Sequence, residues 1–569
     1  MYFPKLHAPA QTALTCSRFL GYDRRCGAAE GSFTDMENLW VDDYPALSVR
    51  QRRQTVGQAD HPHGLISKDC LIWVDGSTLY VNGYVTSLTL TDSPKQLVSM
   101  GAYLVIWPDK KYINTADLTD FGSLENTVVT SGTVTFSLCD GEGTALGNYL
   151  TASAAPEETE GGMLWLDTSG SRDVLRRWGE AGWAEVDDTC IRISAANIGS
   201  GFTAGDGVEI SGAEESCNGS FVLQEAENDS IVIPGLLRGA VSQSSAVTVR
   251  RWVPDMDYVT ECGNRLWGCK YGMAGGRAVN EIYGCKLGDF RNWNCFQGLS
   301  TDSYAVSRGS DGPFTAAVPY LGSVLFFKEN CIERLYLSAA GAHQIVTTQC
   351  PGVKRGSHKS AAEVDGTLFY HAQGGVYAYE GSLPVPVSQP WGDLRGSGAV
   401  AGALAGRYYI SLSDTSQHTH LLVYDTAHGL WHRQDELAVM DFAPCDGELY
   451  ALTEGGDILC MHGGTEEAIS WRAETGEIGL QSAESKYLVR LALRLSLEQG
   501  ATVAAYVSYD GGVSWDRQGG LTGLGEKTRH ALLHIRPRRC RQLRLKLTGT
   551  GRCKMHSLTA VYEKGSDGP

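Results

Sequence analysis

Apolar residues along this chain come in short runs that end in Gly, Asp, Asn or Ser. No long stretch repeats them at three- and four-residue spacing, so the pattern predicts strands and no helical layer. The alternation is clearest in Leu488-Val-Arg-Leu-Ala-Leu-Arg-Leu-Ser-Leu497, which reads as a strand with one buried face. Ala501-Thr-Val-Ala-Ala-Tyr506-Val and Gln542-Leu-Arg-Leu-Lys-Leu547 repeat it. Residues 472–569 are therefore expected to form a C-terminal β-sandwich.

A second pattern recurs at longer range: a Gly-containing turn, then a short apolar strand ending in an aromatic. It is seen at Asp75-Gly-Ser-Thr-Leu79-Tyr80, Gly101-Ala-Tyr103-Leu104, Gly263-Asn-Arg-Leu266-Trp267 and Gly322-Ser-Val-Leu325-Phe326. It returns at Asp365-Gly-Thr-Leu368-Phe369, Gly406-Arg-Tyr408-Tyr409 and Asp446-Gly-Glu-Leu449-Tyr450. The glycines at 322, 366, 406 and 447 are 44, 40 and 41 residues apart. A period of roughly 40–50 residues with several strands per unit is the signature of a β-propeller. Each such unit is a small sheet that must stack on neighbours to bury both faces. Leu422-Val-Tyr424-Asp-Thr-Ala-His-Gly-Leu-Trp431 resembles the Tyr-Asp…Trp turn of kelch-type blades, whose Trp would wedge between adjacent blades.

The period lapses between about residues 129 and 252. There Glu157-Glu-Thr-Glu-Gly-Gly162 precedes Met163-Leu-Trp165-Leu-Asp-Thr168 and Val174-Leu-Arg-Arg-Trp178. The expected architecture is all-β: an irregular propeller of about six or seven blades, with an inserted small β domain and the sandwich. Residues 1–60 are expected as an N-terminal arm or latch, 61–128 and 253–471 as the two parts of the propeller, and 129–252 as the insertion, placed in a blade loop.

Composition narrows the function. With 68 Gly, 18 Pro and 25 Tyr, the chain suits tight turns between strands and excludes collagen-like or disordered classes. The formal net charge of −17 gives no general grip on nucleic acid. The 16 cysteines are scattered singly, without a CxxC pair, and sit inside apolar runs such as Trp267-Gly-Cys269 and Ile458-Leu-Cys460. They read as small buried hydrophobes of a protein made in a reducing compartment. Met1-Tyr-Phe-Pro-Lys5 has no signal-peptide pattern, and no apolar run reaches membrane-spanning length.

Several motifs invite chemistry. Ser508-Tyr-Asp510-Gly-Gly512-Val-Ser-Trp515 matches the Asp-box turn of sialidases and many other β proteins. In it the Asp is expected to bond local amides and the Trp to anchor the loop in the core. Nothing marks the arginine cluster, Tyr nucleophile and acidic partner of a sialidase. His61-Pro-His63 could begin a metal site, but no third ligand is identifiable, so no metal is assigned. Adjacent carboxylates at Asp42-Asp43 and Glu466-Glu467 sit in polar turns, poor places for acid/base work. There is no P-loop, no dinucleotide fingerprint and no nucleophile elbow. The expectation is a protein that is not an enzyme, with no catalytic residue, cofactor or metal. The dense basic cluster Arg536, Arg538, Arg539 and Arg541, with Arg544 and Lys546 beyond it, is the candidate subunit contact. Trp165, Trp178 and Trp183 are candidate exposed aromatics for surface recognition, able to stack on sugars.

The stretch Met36-Glu-Asn38-Leu-Trp40-Val-Asp-Asp43…Pro45-Ala-Leu-Ser-Val-Arg50-Gln-Arg52 resembles the opening segment of tailed-bacteriophage structural proteins. Tyr258-Val…Asn264-Arg-Leu-Trp267-Gly resembles their blade starts, and Gly549-Thr-Gly551…His556-Ser-Leu…Tyr562-Glu-Lys-Gly565 their ending. Gly162-Met-Leu-Trp165…Val174-Leu-Arg-Arg-Trp178 is similar to small domains of phage tail fibres. The resemblance implies a tail hub or nozzle: a virion component, assembled in the host cytoplasm, that forms a homo-oligomeric ring below the portal. Its partners would be other tail and portal-adaptor proteins, with DNA only as passing cargo in an acidic conduit. The alternative reading is a tail protein that binds a host receptor or carbohydrate through 129–252, and the third is a glycosidase.

Overall fold

The computed structural model describes residues 10–41, 43–479 and 484–565. The protein is all-β: apart from three short 3-10 turns, every regular element among the described residues is a strand.

Outside residues 126–251, seven sheets among the described residues share one plan, four strands adjacent in order. Six are continuous in sequence: Pro62–Lys68 to Tyr84–Thr89, Gln96–Met100 to Phe121–Ser123, Tyr258–Glu261 to Tyr304–Ser307, Phe314–Tyr320 to His343–Gln349, Ala362–Val364 to Val385–Pro386, and Gly396–Leu404 to Leu430–Arg433. The seventh has three strands from Val439–Cys445 to Asp457–Cys460, and its fourth is Gln54–Gln58, far earlier in the chain. The recurrent Gly turn of the sequence lies between the first and second strands, except that Asp75-Gly76 joins the second and third strands of its sheet. Asp365-Gly366 and Asp446-Gly447 both have positive φ at both positions, the two-residue hairpin geometry that Asp-Gly favours. Trp431 is buried, packs on Trp391 with ring centroids 4.7 Å apart, and donates its indole N–H to the carbonyl of Val387, which follows the previous sheet. Trp431 thus packs between its own sheet and the segment that follows the previous one.

Two compact units emerge. One comprises the described parts of 1–94, 327–333 and 347–569, the other 95–326 and 334–346. In the first, sheets stack face to face. Phe369 and Val376 meet Tyr408 and Ile410, Tyr409 and Val423 meet Leu449 and Ala451, and Leu452 and Ile458 meet Leu65. In the second, Val105 and Trp107 pack with Val259 and Leu266, and Trp267 and Ile282 with Val324 and Phe326.

Strands between Asn126–Val129 and Thr248–Arg251 pair only with one another, in three sheets. These two strands are themselves antiparallel neighbours, so the chain leaves and returns at one place. That place is the connection between two consecutive four-stranded sheets. Asp206 anchors it: Arg251 Nη1 lies 2.6 Å from its carboxylate, and Asn292 donates to the other oxygen at 3.0 Å.

The C-terminal residues build two sheets over one core. Leu491, Leu493 and Leu495 from one sheet face Val503, Leu545 and Leu547 from the other. The alternation read from sequence is their burial pattern. The described residues among the first sixty, expected as an arm or latch, are woven into this unit as strands. Gln11–Cys16 pairs with Cys553–Lys564, Phe33–Glu37 with Ser470–Thr475, and Leu47–Val49 with Cys553–Lys564.

A polar knot holds the crossing. Asn38, at φ 56°, donates to the Ser470 carbonyl at 2.9 Å and accepts from Arg50 Nε at 2.7 Å. Buried Arg50 grips Glu466 with both terminal nitrogens, at 2.7 and 2.9 Å. Arg53 reaches Asp435 at 2.6 Å and Gln434 at 2.9 Å. Removing the cation from such a pair leaves a carboxylate desolvated, but Glu466 keeps about a third of its side chain in water (35%). Arg50→Ala is therefore expected to cost about 2–3 kcal/mol, below the range for a fully buried pair. Arg52→Ala, which breaks a more exposed pair with Glu498, should cost less than about 1 kcal/mol. Urea unfolding of the two variants checks the contrast; equal losses would mean that the knot does not bear on stability.

Candidate functional site

The three candidate tryptophans do come together. They sit on one sheet of the 126–251 region, on Leu164–Asp167, Val174–Gly179 and Gly182–Glu185. Trp178 and Trp183 are cross-strand partners, with ring centroids 5.2 Å apart and planes at 65°. Trp165 lies 5.3 Å from Trp183, also edge to face. The structure corrects one of the three: Trp165 is only 6% exposed, and its indole N–H donates to the Ala152 carbonyl at 2.9 Å. It supports the platform from below and is no exposed recognition residue. Trp178 and Trp183 are half-buried. Beside them Asp167 accepts from the Ser169 hydroxyl at 2.6 Å and amide at 3.0 Å, and pairs with Arg176 at 3.0 Å. The Ser169 hydroxyl, then its amide, then Arg176 hold the Asp167 carboxyl below its ordinary range. A pair of aromatic faces edged by ion-paired arginines can stack on a flat apolar face, such as that of a sugar ring.

The basic cluster divides in two. Arg536, Arg538, Arg539 and Arg541 are all exposed, as a contact patch requires. Arg538 lies 3.8 Å from Asp516 and over the Tyr509 ring. Arg539 and Arg541 line a cavity of about 270 Å³ with Glu477, Tyr509 and Asp510. Burial pushes the Tyr509 phenol up to about 12, so it stays neutral there. Arg544, read from sequence as part of the same cluster with Lys546, also lines that cavity, while both it and Lys546 are held by partners of their own. Arg544 ties Glu474 at 2.9 Å to the carbonyls of Thr475 and Gly511, and the Lys546 ammonium sits 4.0 Å from the Trp515 ring centre.

The Asp-box turn forms, with one change. Asp510 accepts from the Ser514 amide at 2.9 Å, from the Ser514 hydroxyl and from the Ser508 hydroxyl at 2.7 Å. The Ser514 hydroxyl and amide hold its carboxyl well below the usual range. Trp515, however, does not anchor the loop in the core; it is half-buried under Lys546 at the surface.

His61 and His63 converge on Asp92, which sequence reasoning did not find because it follows three strands later. His61 Nδ1 lies 3.5 Å from the carboxylate, and His63 Nε2 is in hydrogen-bond contact. That contact, more than His61, lowers the Asp92 pKa. Among the described residues no group of three or more His, Cys, Asp or Glu is arranged to hold a metal ion. Of the adjacent carboxylates, Asp42 lies outside the described residues, Asp43 pairs with Lys554, Glu466 belongs to the Arg50 knot and Glu467 is exposed.

No family model matches the chain, and no curated protein matches it. Among solved structures, PorZ, a surface component of the type-IX secretion system of Porphyromonas gingivalis, is similar at 10% identity, over 89% of this chain and 81% of that one, with a TM-score of 0.27. An exo-β-1,3-galactanase of Phanerochaete chrysosporium is similar at 10% identity over 53% and 94%, TM-score 0.22. Infectious bursal disease virus, Gx strain, is similar at 10% over 44% and 70%, TM-score 0.13. Likenesses this remote carry no argument about function.

The different burial of the tryptophans has a measurable consequence. Trp165→Ala should destabilise the protein by about 3–5 kcal/mol, as emptying a core site does, and Trp183→Ala by roughly half that. Thermal unfolding of both variants checks the order; a smaller loss for Trp165→Ala would refute the support role.

Proposed function

We propose that the chain is a structural component of a bacteriophage virion, a ring-forming tail hub or nozzle built on a seven-bladed propeller with a C-terminal sandwich. The observation that carries this reading is the seventh four-stranded sheet, completed by Gln54–Gln58 from the start of the chain. A strand from one terminus finishing the last blade is how a propeller locks into a rigid disc. The segment leading toward that strand, Met36 to Arg52, is the one whose sequence resembles phage tail proteins, and its polar residues serve to fasten the disc to the C-terminal sheets. On this reading the function is geometric. Discs join head to tail into a closed ring, the exposed arginines at 536, 538, 539 and 541 meet an acidic face of the next copy, and the acidic wall of the conduit lets DNA pass without adhering.

Light scattering and negative-stain imaging of the purified chain are expected to show a discrete closed ring. Replacing the four arginines by Glu should return it to monomers without lowering its melting temperature. A chain that stays monomeric at every concentration, alone and with portal-adaptor proteins, would overturn the ring reading.

The half-exposed Trp178–Trp183 pair favours a second reading, host-surface glycan binding through the 126–251 region. Under it, a glycan panel bound by the full chain is lost in the Trp178→Ala, Trp183→Ala double variant. No binding by the parent chain would remove this reading.

A further inference from the structure

The second unit contains a cavity of about 300 Å³ that none of the readings above uses. It opens between the sheets of Tyr258–Glu261 to Tyr304–Ser307 and Phe314–Tyr320 to His343–Gln349, and is walled by Trp267, Val324 and Leu335. Trp267, Tyr304 and His343 pack there as a triangle of rings 5.1–5.7 Å apart. At its rim Leu287 and Leu337 expose 43% and 59% of their surface.

Its one cation is Arg265, which is 3% exposed, with its guanidinium over the Trp267 ring at 5.5 Å. No carboxylate among the described residues lies within ion-pair distance of it; the Asp302 carboxylate acts on it only at longer range. Nη1 donates to the Asp302 carbonyl at 2.6 Å and Nη2 to the Ser300 carbonyl at 3.2 Å. One oxygen of the Asp302 carboxylate accepts from the Gln297 and Leu299 amides, and the other is buried with no hydrogen-bond partner. Other buried arginines of this protein do have a carboxylate: Arg251 has Asp206 and Arg50 has Glu466. A guanidinium out of water with no anion in direct contact is costly, and a carboxylate delivered to it recovers part of that cost. Burial and Arg265 together lower the pKa of His343, so its ring stays neutral at the same mouth and leaves the cationic role to Arg265.

We propose that this cavity binds a small apolar carboxylate, with its acid group on Arg265 and an aromatic or aliphatic body against Trp267, Val324 and Leu335. The volume sits at the lower end for small-molecule sites, which limits the ligand to about the size of an aromatic acid. A phosphate ester suits it poorly, because a doubly charged group needs more donors than the walls supply. The inference is independent of the ring reading.

The test is titration of the full chain with phenylacetate and with its neutral isostere phenylacetamide, followed by calorimetry and by the melting temperature. Saturable phenylacetate binding with a matching rise in melting temperature is expected, and the amide should bind at least about tenfold more weakly. Arg265→Gln should abolish the difference. Because Arg265 also holds the Ser300 and Asp302 carbonyls, that variant can fail to fold, so Leu337→Glu serves as the second. It sets a repelling carboxylate on the exposed rim and should weaken phenylacetate at least about tenfold without changing the unliganded melting temperature. No saturable phenylacetate binding up to roughly 10 mM, or equal affinity for acid and amide, overturns the proposal.

Discussion

The structure depends on one edge. A sheet of three strands from Val439–Cys445 to Asp457–Cys460 would present a row of unpaired amides and carbonyls, an open template for pairing with another chain. Gln54–Gln58 covers it, and in doing so commits the start of the chain to a position set some four hundred residues later. Everything before that strand must then be accommodated nearby, which is why Gln11–Cys16, Phe33–Glu37 and Leu47–Val49 become strands of the C-terminal sheets. Contacts of such long sequence separation close late in folding, because their loop entropy must be met first.

This explains where the protein puts its buried charge. Ion pairs inside a protein add little net stability over apolar contacts, but they discriminate strongly between arrangements. Arg50 can satisfy its guanidinium only if Asn38, Gln51 and Glu466 are all in place at once. A strand pairing slipped by one residue would turn every side chain to the wrong face and leave that cation stranded. Asp206 has the same role for the inserted region, holding Arg251 of its last strand and Asn292 of the neighbouring sheet.

The parts of the fold that were legible in the sequence are local ones. The Asp-Gly hairpins at 365–366 and 446–447 could be read because two positive-φ positions leave few other residue choices, and the alternation at Leu491–Leu497 could be read because one face is buried. The identity of partners was not legible. Nothing near Arg50 announces Glu466, and nothing near His63 announces Asp92. Nor does a tryptophan disclose its depth. Trp165 and Trp183 look alike in sequence, yet one has its N–H bound to the Ala152 carbonyl under the sheet and the other lies at its surface. The basic run from 536 to 546 misled in the same way. Alternation along Arg544–Thr550 leaves Arg544 and Lys546 at the surface of the sheet, where Glu474 and Trp515 already wait.

Arg265 stands out against this background. A chain that answers Arg50 and Arg251 with carboxylates and gives Arg53 an aspartate leaves Arg265 bonded to two carbonyls beside the Trp267 ring, with the Asp302 carboxylate acting on it only from beyond ion-pair distance. Carbonyls satisfy the geometry of a guanidinium but not its charge. Where the interior puts an anion in direct contact with Arg50, Arg53 and Arg251 and keeps it at a distance here, the open contact is a statement about what the cavity is shaped to receive.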